Sequence, residues 1–370
     1  MICIVGASIA GLTLAQYLKK HNIAFIILEN KQSRISDDKG DDQRSCQNQG
    51  YSLTLMQAVG ILKELNLFDD LTDTVITTKS YGFSSEGTPL WCRDSWSDKT
   101  IVRRSELLRV LKQGIFVTYF DYDHYECHDD HVIVYDRRSC CGSQSYDKEG
   151  NSINCDYLIG CDGLHSKVRT QLIGPNYIES CEDLILINGI TSSTKITKSS
   201  IEVDGSYQYV DGVSRLFVKP FDHSHVMWQL SFPKILLSET SGGMSEIVSS
   251  TEIAKSIVSN WSVIAKEFIS TSDCVAARHL WQTTDILSLP RGRVTLLGDS
   301  AHTMSPFKGL GANTAMMDAR NFVNCIVGSA DMVESIQKYN IIMLERGNRN
   351  RLNSALNTKF SHSKAVLKTR

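Results

Sequence analysis

The chain has 370 residues, enough for two domains, and its hydrophobic content of 42% and charged content of 22% are ordinary for a soluble globular protein. Its formal net charge of −2 does not favour a polyanionic partner, so we expect no nucleic-acid binding. No apolar run approaches the roughly 18 to 20 residues of a membrane span, and the first residues lack the features of a secretion signal. We therefore expect a cytoplasmic protein with no integral membrane segment.

Eleven cysteines are scattered without paired spacing, which favours reduced thiols over a disulfide framework. Histidines and cysteines cluster between residues 124 and 131, but their spacing matches no structural zinc pattern. That stretch lies between two strand-like runs, Ile115 to Phe120 and His131 to Tyr135. We interpret it as an exposed polar hairpin and predict no metal site.

The first thirty residues predict a strand–helix–strand unit. Ile2 to Val5 is an apolar run, Leu12 to Lys20 has apolar residues at helical spacing, and Ala24 to Leu28 is a second apolar run that ends at Glu29. Such a unit is the usual opening of a nucleotide-binding domain.

A glycine loop joins the first strand to the helix and contains Gly6, Ser8, Ile9 and Gly11. A dinucleotide fingerprint uses glycines here for a tight turn, for approach to a pyrophosphate and for packing of helix on strand. Ser8 replaces the middle glycine. A carboxylate at Glu29 would accept hydrogen bonds from a ribose. The unit therefore predicts nucleotide binding, with a purely structural turn as the alternative.

The chain then turns polar from Asn30 to Gln49, which we interpret as a surface loop. Helical periodicity returns from Leu55 to Leu67, and Ile101 to Leu111 reads as a strand end running into a helix. Cys155 to Gly163 is another apolar strand, and it ends at the pair Asp162-Gly163.

The middle of the chain differs in character. Alternating runs at Ser206 to Val210, Ser214 to Val218 and Val226 to Phe232 are separated by turn residues and predict an antiparallel sheet. Ile247 to Phe268 looks helical. The strand–helix pattern resumes at Arg293, so the nucleotide-type domain is interrupted by a β-rich one.

The segment from Leu296 to Asn313 predicts a site built from backbone. An apolar strand stops at Gly298-Asp299, and a loop with one proline and two glycines then opens a helix near Asn313. Glycines let main chain approach a ligand, and the helix start offers free N–H groups and partial positive charge. Met332 to Arg370 looks helical.

Together, the glycine loop, Arg104 followed by Leu107 and Leu111, Asp162-Gly163, and Gly298 to Asn313 occur in an order that resembles one family. This family is the single-component FAD-dependent aromatic hydroxylases, which includes p-hydroxybenzoate hydroxylase, kynurenine and salicylate monooxygenases and tetracycline-inactivating enzymes. The motifs are spread over roughly residues 1 to 325.

The resemblance implies a cofactor site for FAD. Gly6, Ser8, Ile9 and Gly11 would surround the pyrophosphate, Glu29 the adenosine ribose, and Arg104 the phosphate or ribityl oxygens. Asp162 would contact FAD or the pyridine nucleotide, with a structural turn as the open alternative, and Asp299 would bind the ribityl chain. The flavin's pyrimidine edge would meet backbone at Gly309, Leu310, Gly311, Ala312 and Asn313.

The resemblance also implies a reaction. NADPH or NADH would reduce the flavin, O2 would add to form a flavin hydroperoxide, and this would hydroxylate a small aromatic or polyketide-like substrate. The flavin carries this chemistry, so no catalytic side chain is predicted; His302 is expected to pack or hydrogen-bond beside the flavin loop. Open alternatives are an FAD-dependent oxidase or reductase of the same fold and a non-catalytic binding protein.

The predicted fold class is α/β. A discontinuous Rossmann-like FAD-binding domain would comprise residues 1–75, 100–180 and 280–330. An inserted antiparallel β-sheet substrate domain would comprise 76–99 and 181–279, followed by a C-terminal helical segment at 331–370. Candidates for the substrate wall are Tyr207, Tyr209 and Gln229, together with Pro306 and Phe307 near the flavin. The chain is expected to be a monomer or a homodimer.

Overall fold

The computed structural model describes residues 1–30, 51–137, 152–196, 205–237, 249–272 and 274–368. The predicted polar loop from Asn30 to Gln49 lies, after its first residue, outside the described residues. The first half of the chain contains these strands and helices: β1 (Ile2–Val5), α1 (Ile9–Lys20), β2 (Phe25–Glu29), β3 (Ser52–Leu55), α2 (Gln57–Glu64), β4 (Thr74–Ser84), β5 (Pro89–Arg103), α3 (Arg104–Leu111), β6 (Val117–Tyr119), β7 (Tyr122–Cys127), β8 (Val132–Asp136), β9 (Ser152–Cys155), β10 (Tyr157–Gly160) and α4 (Lys167–Ile173).

The second half contains the long strands of the sheet and the C-terminal helices: β11 (Ile178–Ser192), β12 (Gly205–Val210), β13 (Arg215–Pro220), β14 (His225–Pro233), α5 (Ser250–Ile257), α6 (Val263–Ser270), β15 (Cys274–Thr283), β16 (Val294–Leu296), α7 (Asp299–His302), α8 (Gly311–Ile326) and α9 (Met332–Ser361).

A five-stranded parallel sheet forms the first layer, in the order β16-β10-β1-β2-β6. Its central strand β1 is buried along its whole length because parallel sheets are covered by helices on both faces. Helices α1 and α8 pack against each other. Strands far apart in sequence thus form one sheet, and their carboxyl ends gather the loops that follow β1, β10 and β16.

A larger eight-stranded sheet forms the second body, in the order β15-β11-β14-β13-β12-β4-β5-β3. It is antiparallel as predicted, except that β12 and β4 run parallel. One face carries a separate core cluster that includes Trp228, Phe232 and Phe268. The first two residues of the predicted helical run Ile247 to Phe268 lie outside the described residues. The rest of the run is two helices, because Ser262 caps the start of α6 by accepting a hydrogen bond from the Ala265 N–H.

Four predicted domain boundaries fall inside strands. Residues 75/76 lie in β4, 99/100 in β5, 180/181 in β11 and 279/280 in β15, because these long strands continue past the composition changes used to place the boundaries. Strand β3, which lies within residues 1–75 of the predicted FAD-binding domain, also joins the large sheet rather than the parallel one. The domain division itself stays a prediction.

The histidine-rich stretch lies in a small antiparallel sheet, β7-β8-β9. Strand β7 was not expected, since its polar residues conceal the alternation. His124 pairs with Asp123 and His131 with Asp130. Among the residues that the structure describes, no group of three or more histidines, cysteines and carboxylates could hold a metal ion.

The C-terminal region is helical, as expected. Helix α9 packs against α8 and is followed by a short 3-10 turn at Lys364–Lys368. Within the described ranges, no helix combines the length and apolar content needed to cross a membrane.

Candidate functional site

A cavity of about 520 Å³ lies between the loops of the parallel sheet and one face of the large sheet. The starts of two helices reach it, with Ser8, Ile9 and Ala10 from α1 and Gly311 and Ala312 from α8. The first turn of a helix has N–H groups without intrahelical acceptors. Both ends of the cavity on this side therefore favour negative or polarised ligand groups.

The first glycine loop is shaped by close backbone contacts. A Cβ on Gly6, whose φ is +109°, would lie 2.3 Å from the carbonyl oxygen of Cys161. A Cβ on Gly11 would lie 1.9 Å from the carbonyl oxygen of Gly6. Both positions thus require glycine for the packing of α1 on β1 and β10, which is one of the roles predicted for them.

Glu29 and Arg104 hold this loop from two sides. The Glu29 carboxylate accepts a hydrogen bond of 2.7 Å from the Ala7 N–H, and the Arg104 guanidinium donates one of 3.0 Å to the Ser8 hydroxyl. Arg104 is the first residue of α3 and lines the cavity beside Ser8. The structure therefore brings together three of the residues predicted to surround the dinucleotide.

Asp162 caps helix α4. Its carboxylate accepts hydrogen bonds from the Ser166 hydroxyl and from the N–H groups of Lys167 and Val168, at 2.5, 2.8 and 3.2 Å. Burial raises the pKa of this carboxyl, although these hydrogen bonds oppose the shift. Cys161 and Gly163 on either side line the cavity. Asp162 thus has a structural role in the loop, and its contact with a cofactor stays a prediction.

Arg169 is a buried side chain rather than a surface charge. It is 1% exposed, and its guanidinium donates hydrogen bonds of 2.8 Å to the Ser300 carbonyl and 2.6 Å to the Leu164 carbonyl. It ties the loop after β10 to the loop after β16. The sequence offered one signal for this, namely a cation a few residues after the Asp162-Gly163 pair.

Asp299 opens into the cavity at the end of β16. Its side chain is accessible from the cavity but lies deep below the outer protein surface, and this enclosure raises the pKa of the carboxyl. His302 and Arg104 partly oppose the rise. The preceding Gly298 has a φ of +68°, and a Cβ there would lie 2.9 Å from the Cβ of Ala10. Glycine therefore lets Asp299 approach α1 closely.

The loop before α8 presents backbone to the cavity. Gly309 adopts a left-handed φ of +64°, and a Cβ on Gly311 would meet no atom within 4 Å, so this face of the chain is open. Gly309, Gly311 and Ala312 line the cavity, whereas Leu310 and Asn313 lie behind them.

The Asn313 side chain holds this loop in place. Its amide oxygen accepts hydrogen bonds from the N–H groups of Met56 and Ala58, and its NH2 donates to the carbonyls of Thr54 and Gly309, at 2.8, 3.2, 2.8 and 3.0 Å. Because these contacts use both ends of the amide, any contact with the flavin predicted for Asn313 is left to its backbone.

A buried charge cluster supports the Gly298-Asp299 turn from below. The Asp318 carboxylate contacts the His302 Nε2 at 2.5 Å, the Arg346 guanidinium, and the Gly298 N–H at 3.0 Å. Burial alone would raise the pKa of Asp318, but His302 and Arg346 hold it below its ordinary value. Burial likewise disfavours charge on His302, yet Asp318 raises its pKa. His302 thus packs locally, as expected, with partners that sequence reasoning missed.

The large sheet supplies the opposite wall, and here the prediction for two residues is wrong. Tyr207 and Tyr209 face away from the cavity, stacked on Tyr81 and Phe83 at ring-centroid distances of 5.3 and 5.2 Å. Since side chains alternate along a strand, the cavity is lined instead by their neighbours Ser206 and Gln208. The alternation of side chains in the sequence separates β12 into two faces but does not identify which face lines the cavity.

The remaining predicted wall residues do line the cavity. Gln229 is 6% exposed and donates a hydrogen bond of 3.1 Å to the Asn188 side chain. Pro306 and Phe307 form the edge between the sheet and the loop before α8. Two further lining residues, Arg215 and Lys219, were not predicted, because isolated cations in a β-rich stretch match no motif.

The residues at the two ends of the cavity can be compared with the parts of a dinucleotide. One end has the glycine loop, the α1 start and Arg104, which suit a pyrophosphate. The other has Asp299, which is open to a polyol chain, and the exposed backbone of Gly311 at the start of α8. The residues present therefore fit a flavin dinucleotide along this side of the cavity.

Fold and site thus define a dinucleotide-binding protein with a second wall for another molecule. The model of the FAD binding domain matches residues 1–328, and the chain belongs to this family. The predicted resemblance to FAD-dependent monooxygenases is confirmed, as are the α/β fold class and FAD as cofactor. The chain is an oxidoreductase.

Relatives of known name agree with this assignment. The chain is 24% identical to the FAD-dependent monooxygenase thnD of Trichoderma harzianum, over 94% of this chain and 90% of that protein. It is 26% identical to the FAD-dependent monooxygenase cle3 of Aspergillus versicolor, over 90% of this chain and 69% of that one. The fold is similar to that of Klebsiella pneumoniae HpxO, solved with FAD and uric acid, with a TM-score of 0.81, 20% identity and coverage of 100% and 90%.

Proposed function

We propose that this protein is a monooxygenase that inserts one atom of O2 into a small aromatic or polyketide-like molecule at the expense of NADPH or NADH. In balance, substrate, O2, NAD(P)H and a proton give the hydroxylated substrate, water and NAD(P)+. The observation that carries the proposal is the two-walled cavity, which has a dinucleotide cradle on one side and a wall of sheet side chains on the other.

When bound, FAD supplies the redox chemistry of oxygen activation, and the protein supplies position and electrostatics. The α1 start and Arg104 would hold the pyrophosphate, and the Asp299 carboxylate would accept hydrogen bonds from the ribityl hydroxyls. The start of α8 at Gly311 favours negative charge on the ring system beside it. The sheet wall would orient the substrate and exclude water.

Anaerobic reduction followed by oxygen labelling tests the proposal. The purified holoprotein is expected to be yellow and to be bleached by NADPH or NADH, faster when an aromatic ligand is present. On admission of isotopically labelled O2, one labelled atom should appear in the product. Hydrogen peroxide as the main product, without labelled organic product from a broad panel of phenols, indoles, kynurenines and polyketides, would support the oxidase instead.

A non-catalytic binding protein is the other alternative. Such a protein would show no bleaching by either nicotinamide cofactor, whatever ligand is added. A cytoplasmic location and a monomeric or homodimeric state stay predictions, which fractionation and light scattering can test.

A further inference from the structure

The C-terminal half of α9 exposes apolar side chains on one face. Leu352, Leu356 and Phe360 are 54%, 56% and 41% exposed and follow one another at intervals of four residues. Side chains at this spacing lie above one another on the same side of a helix. A fourth apolar residue, Leu367, is 36% exposed in the 3-10 turn that follows. We call these four residues the C-terminal apolar patch.

The C-terminal apolar patch borders the cavity between the two sheets. Phe360 is exposed and also lines the cavity, as do its neighbours Asn357 and Ser361 and the buried Val366 of the 3-10 turn. The Asn357 amide donates a hydrogen bond of 3.3 Å to the Phe307 carbonyl, which attaches this end of α9 to the loop before α8. The patch therefore lies at the edge of the cavity on a helix that the fold holds in place.

The segment that carries the patch is rich in cations. From residue 346 to residue 368 the sequence contains six arginines and lysines and no aspartate or glutamate, and the last acidic residue before this segment is Glu345. Two of the arginines are buried and pair with carboxylates of other elements. The exposed cations of the segment are Arg349, Lys359, Lys364 and Lys368.

Ion pairs neutralise only one of these four exposed cations. The Lys359 Nζ lies 3.5 Å from a carboxylate oxygen of Glu182, at the surface. Within the ranges that the structure describes, no carboxylate forms an ion pair with Arg349, Lys364 or Lys368. The surface around the patch is therefore positively charged.

An apolar stripe among free cations is complementary to the surface of an anionic bilayer. Leucine and phenylalanine gain free energy at the boundary between headgroups and acyl chains, while lysine and arginine are attracted to anionic headgroups. A second copy of the chain fits less well, because a two-fold interface places the same patch, and thus the same positive charge, on both sides. Nucleic acid offers anions but no apolar phase for the leucines. The combination of charge and apolar area therefore favours lipid.

We propose that the C-terminal apolar patch docks this protein on the surface of an anionic lipid bilayer, without crossing it. The leucines and the phenylalanine of the patch enter the boundary between headgroups and acyl chains, and the three cations without an ion pair contact the headgroups. Because Phe360 also lines the cavity, this orientation brings the edge of the cavity to the lipid. The docking itself does not depend on the proposed function.

Flotation of the holoprotein with vesicles tests the docking. The probes are vesicles of phosphatidylcholine alone and vesicles of phosphatidylcholine mixed with phosphatidylserine. We expect binding to the mixed vesicles to be about tenfold or more tighter than to the neutral ones, and to weaken when salt is raised from about 0.1 M to about 1 M. No binding to the mixed vesicles at about millimolar lipid would overturn the proposal.

A pair of apolar substitutions assigns the binding to the patch. The double variant Leu352→Gln/Leu356→Gln is expected to bind the mixed vesicles about tenfold or more weakly, because it removes two apolar side chains from the lipid contact. The matched control is Phe116→Gln/Val263→Gln, at residues that are 95% and 76% exposed and lie outside the patch. The control should change binding by less than about twofold. Equal weakening by the two double variants would contradict the assignment.

A pair of charge substitutions separates the cations of the segment from net charge. Lys364→Gln/Lys368→Gln should weaken binding to the mixed vesicles about tenfold and leave binding to neutral vesicles unchanged. Lys112→Gln/Lys338→Gln removes the same charge from exposed lysines outside the segment, and should have little effect. If both pairs weaken binding equally, net charge rather than this surface is responsible.

Tryptophan fluorescence tests the orientation. Relative to wild type, the added fluorescence of Leu356→Trp should be quenched by vesicles that contain brominated lipid, whereas that of Phe116→Trp should not. Quenching of Phe116→Trp alone would show that another face meets the bilayer.

Further measurements keep the outcomes separate. Sedimentation velocity without lipid tests the second copy: a dimer that Leu352→Gln/Leu356→Gln dissociates would assign the patch to self-association and overturn the docking. Retained FAD and an unchanged thermal transition show that a variant is folded, and the lipid and salt dependence of the wild-type protein tests the proposal without any variant. Vesicle binding without labelled product would count against the monooxygenase alone, and labelled product without vesicle binding against the docking alone.

Discussion

The two sides of the cavity are built on opposite principles. The dinucleotide side consists of glycines in close backbone contact and of polar side chains whose partners lie within the protein, such as Asn313 and Asp318. The sheet side consists of side chains on alternate positions, and its buried cations Arg215 and Lys219 have no ionic partner in the part of the chain that the structure describes. The first side is therefore organised by contacts within the protein, whereas the second keeps buried charges that these contacts do not neutralise. Substitutions of the groups that hold the first side together should lower stability, whereas removal of a buried cation from the second side should raise it.

The largest effect is expected from Gly11→Ala. The added Cβ would lie 1.9 Å from the Gly6 carbonyl oxygen, and backbone atoms on both sides of the contact cannot yield without moving α1. We expect a loss of about 3 kcal/mol or more in unfolding free energy and no retained FAD. Denaturant unfolding measures the free energy, and the flavin absorbance after gel filtration measures the retained FAD.

Gly60→Ala is the matched control for this change. Gly60 lies within α2, and a Cβ there would meet no atom within 4 Å. The same substitution is expected to stabilise the protein by about 0.5 to 1 kcal/mol, since alanine is the better helix former. Similar effects of the two substitutions would show that the close contact at Gly11 is not what matters.

The second effect is that of Asp318→Asn. The change removes the charge that pairs with His302 and Arg346 and leaves two buried basic groups unneutralised. We expect a loss of about 3 to 5 kcal/mol in unfolding free energy, together with weaker FAD binding through the Gly298 turn. Urea denaturation of apoprotein and holoprotein measures both.

Asp331→Asn provides the comparison for that variant. Asp331 caps α9 at the surface by accepting a hydrogen bond of 3.0 Å from the Glu334 N–H, and asparagine is an equally good cap. The unfolding free energy is therefore expected to change little in Asp331→Asn. If Asp318→Asn also leaves the unfolding free energy nearly unchanged, the buried charge cluster around Asp318 does not support the Gly298-Asp299 turn as described.

The third effect concerns the cofactor alone. Asp299→Ala is expected to raise the dissociation constant for FAD about tenfold or more, because it removes a charged acceptor for ribityl hydroxyls. The apoprotein should keep its stability or gain some, since the carboxyl is enclosed and has a raised pKa. Asp130→Ala, at a carboxylate that is 87% exposed, should leave the constant unchanged. Fluorescence titration of the apoprotein with FAD measures these dissociation constants. Unchanged affinity in Asp299→Ala would contradict the assignment of Asp299 to the ribityl chain.

The smallest effect has the opposite sign. Burial lowers the pKa of Lys219 to about 7 in the folded protein. Between this pH and the ordinary lysine value of about 10.4, the unfolded chain therefore binds more protons than the folded protein. The cost of the buried charge is therefore full below about pH 7 and fades as pH rises toward the unfolded pKa. Lys219→Met should stabilise the ligand-free protein by about 1 to 2 kcal/mol at low pH and by less at about pH 9.

Unfolding midpoints of wild type and variant at the two pH values test this prediction. Exposed Lys79→Met should show no such pH-dependent difference. A destabilised Lys219→Met at both values would mean that the hydrogen bonds of Lys219 to the Ser52 carbonyl and the Thr54 hydroxyl outweigh the cost of burying the charge.

The strands, the helix starts and the FAD cofactor of the dinucleotide side could be predicted from the sequence because their signals are local. A glycine that must contact backbone a few residues away, or a strand that ends in Gly298-Asp299, leaves its pattern within one stretch of chain. Partners such as Asp318 and Arg346 were not predictable, because they meet His302 only after α8 and α9 pack. At the sheet side, alternation gave two faces for β12, and the choice between Tyr207 and Gln208 depended on the placement of the whole sheet.

The Asn313 amide has a consequence for how the protein is made. It joins the backbone of residues 54 to 58 to that of Gly309, segments more than 250 positions apart. Strand β16, the edge strand beside β10, is also among the last elements of the parallel sheet to be synthesised. Because domains form from the N-terminus as synthesis proceeds, a nascent chain cannot complete the cofactor cradle until Asn313 has left the ribosome. Capture of the cofactor therefore follows the synthesis of α8 rather than that of the first glycine loop.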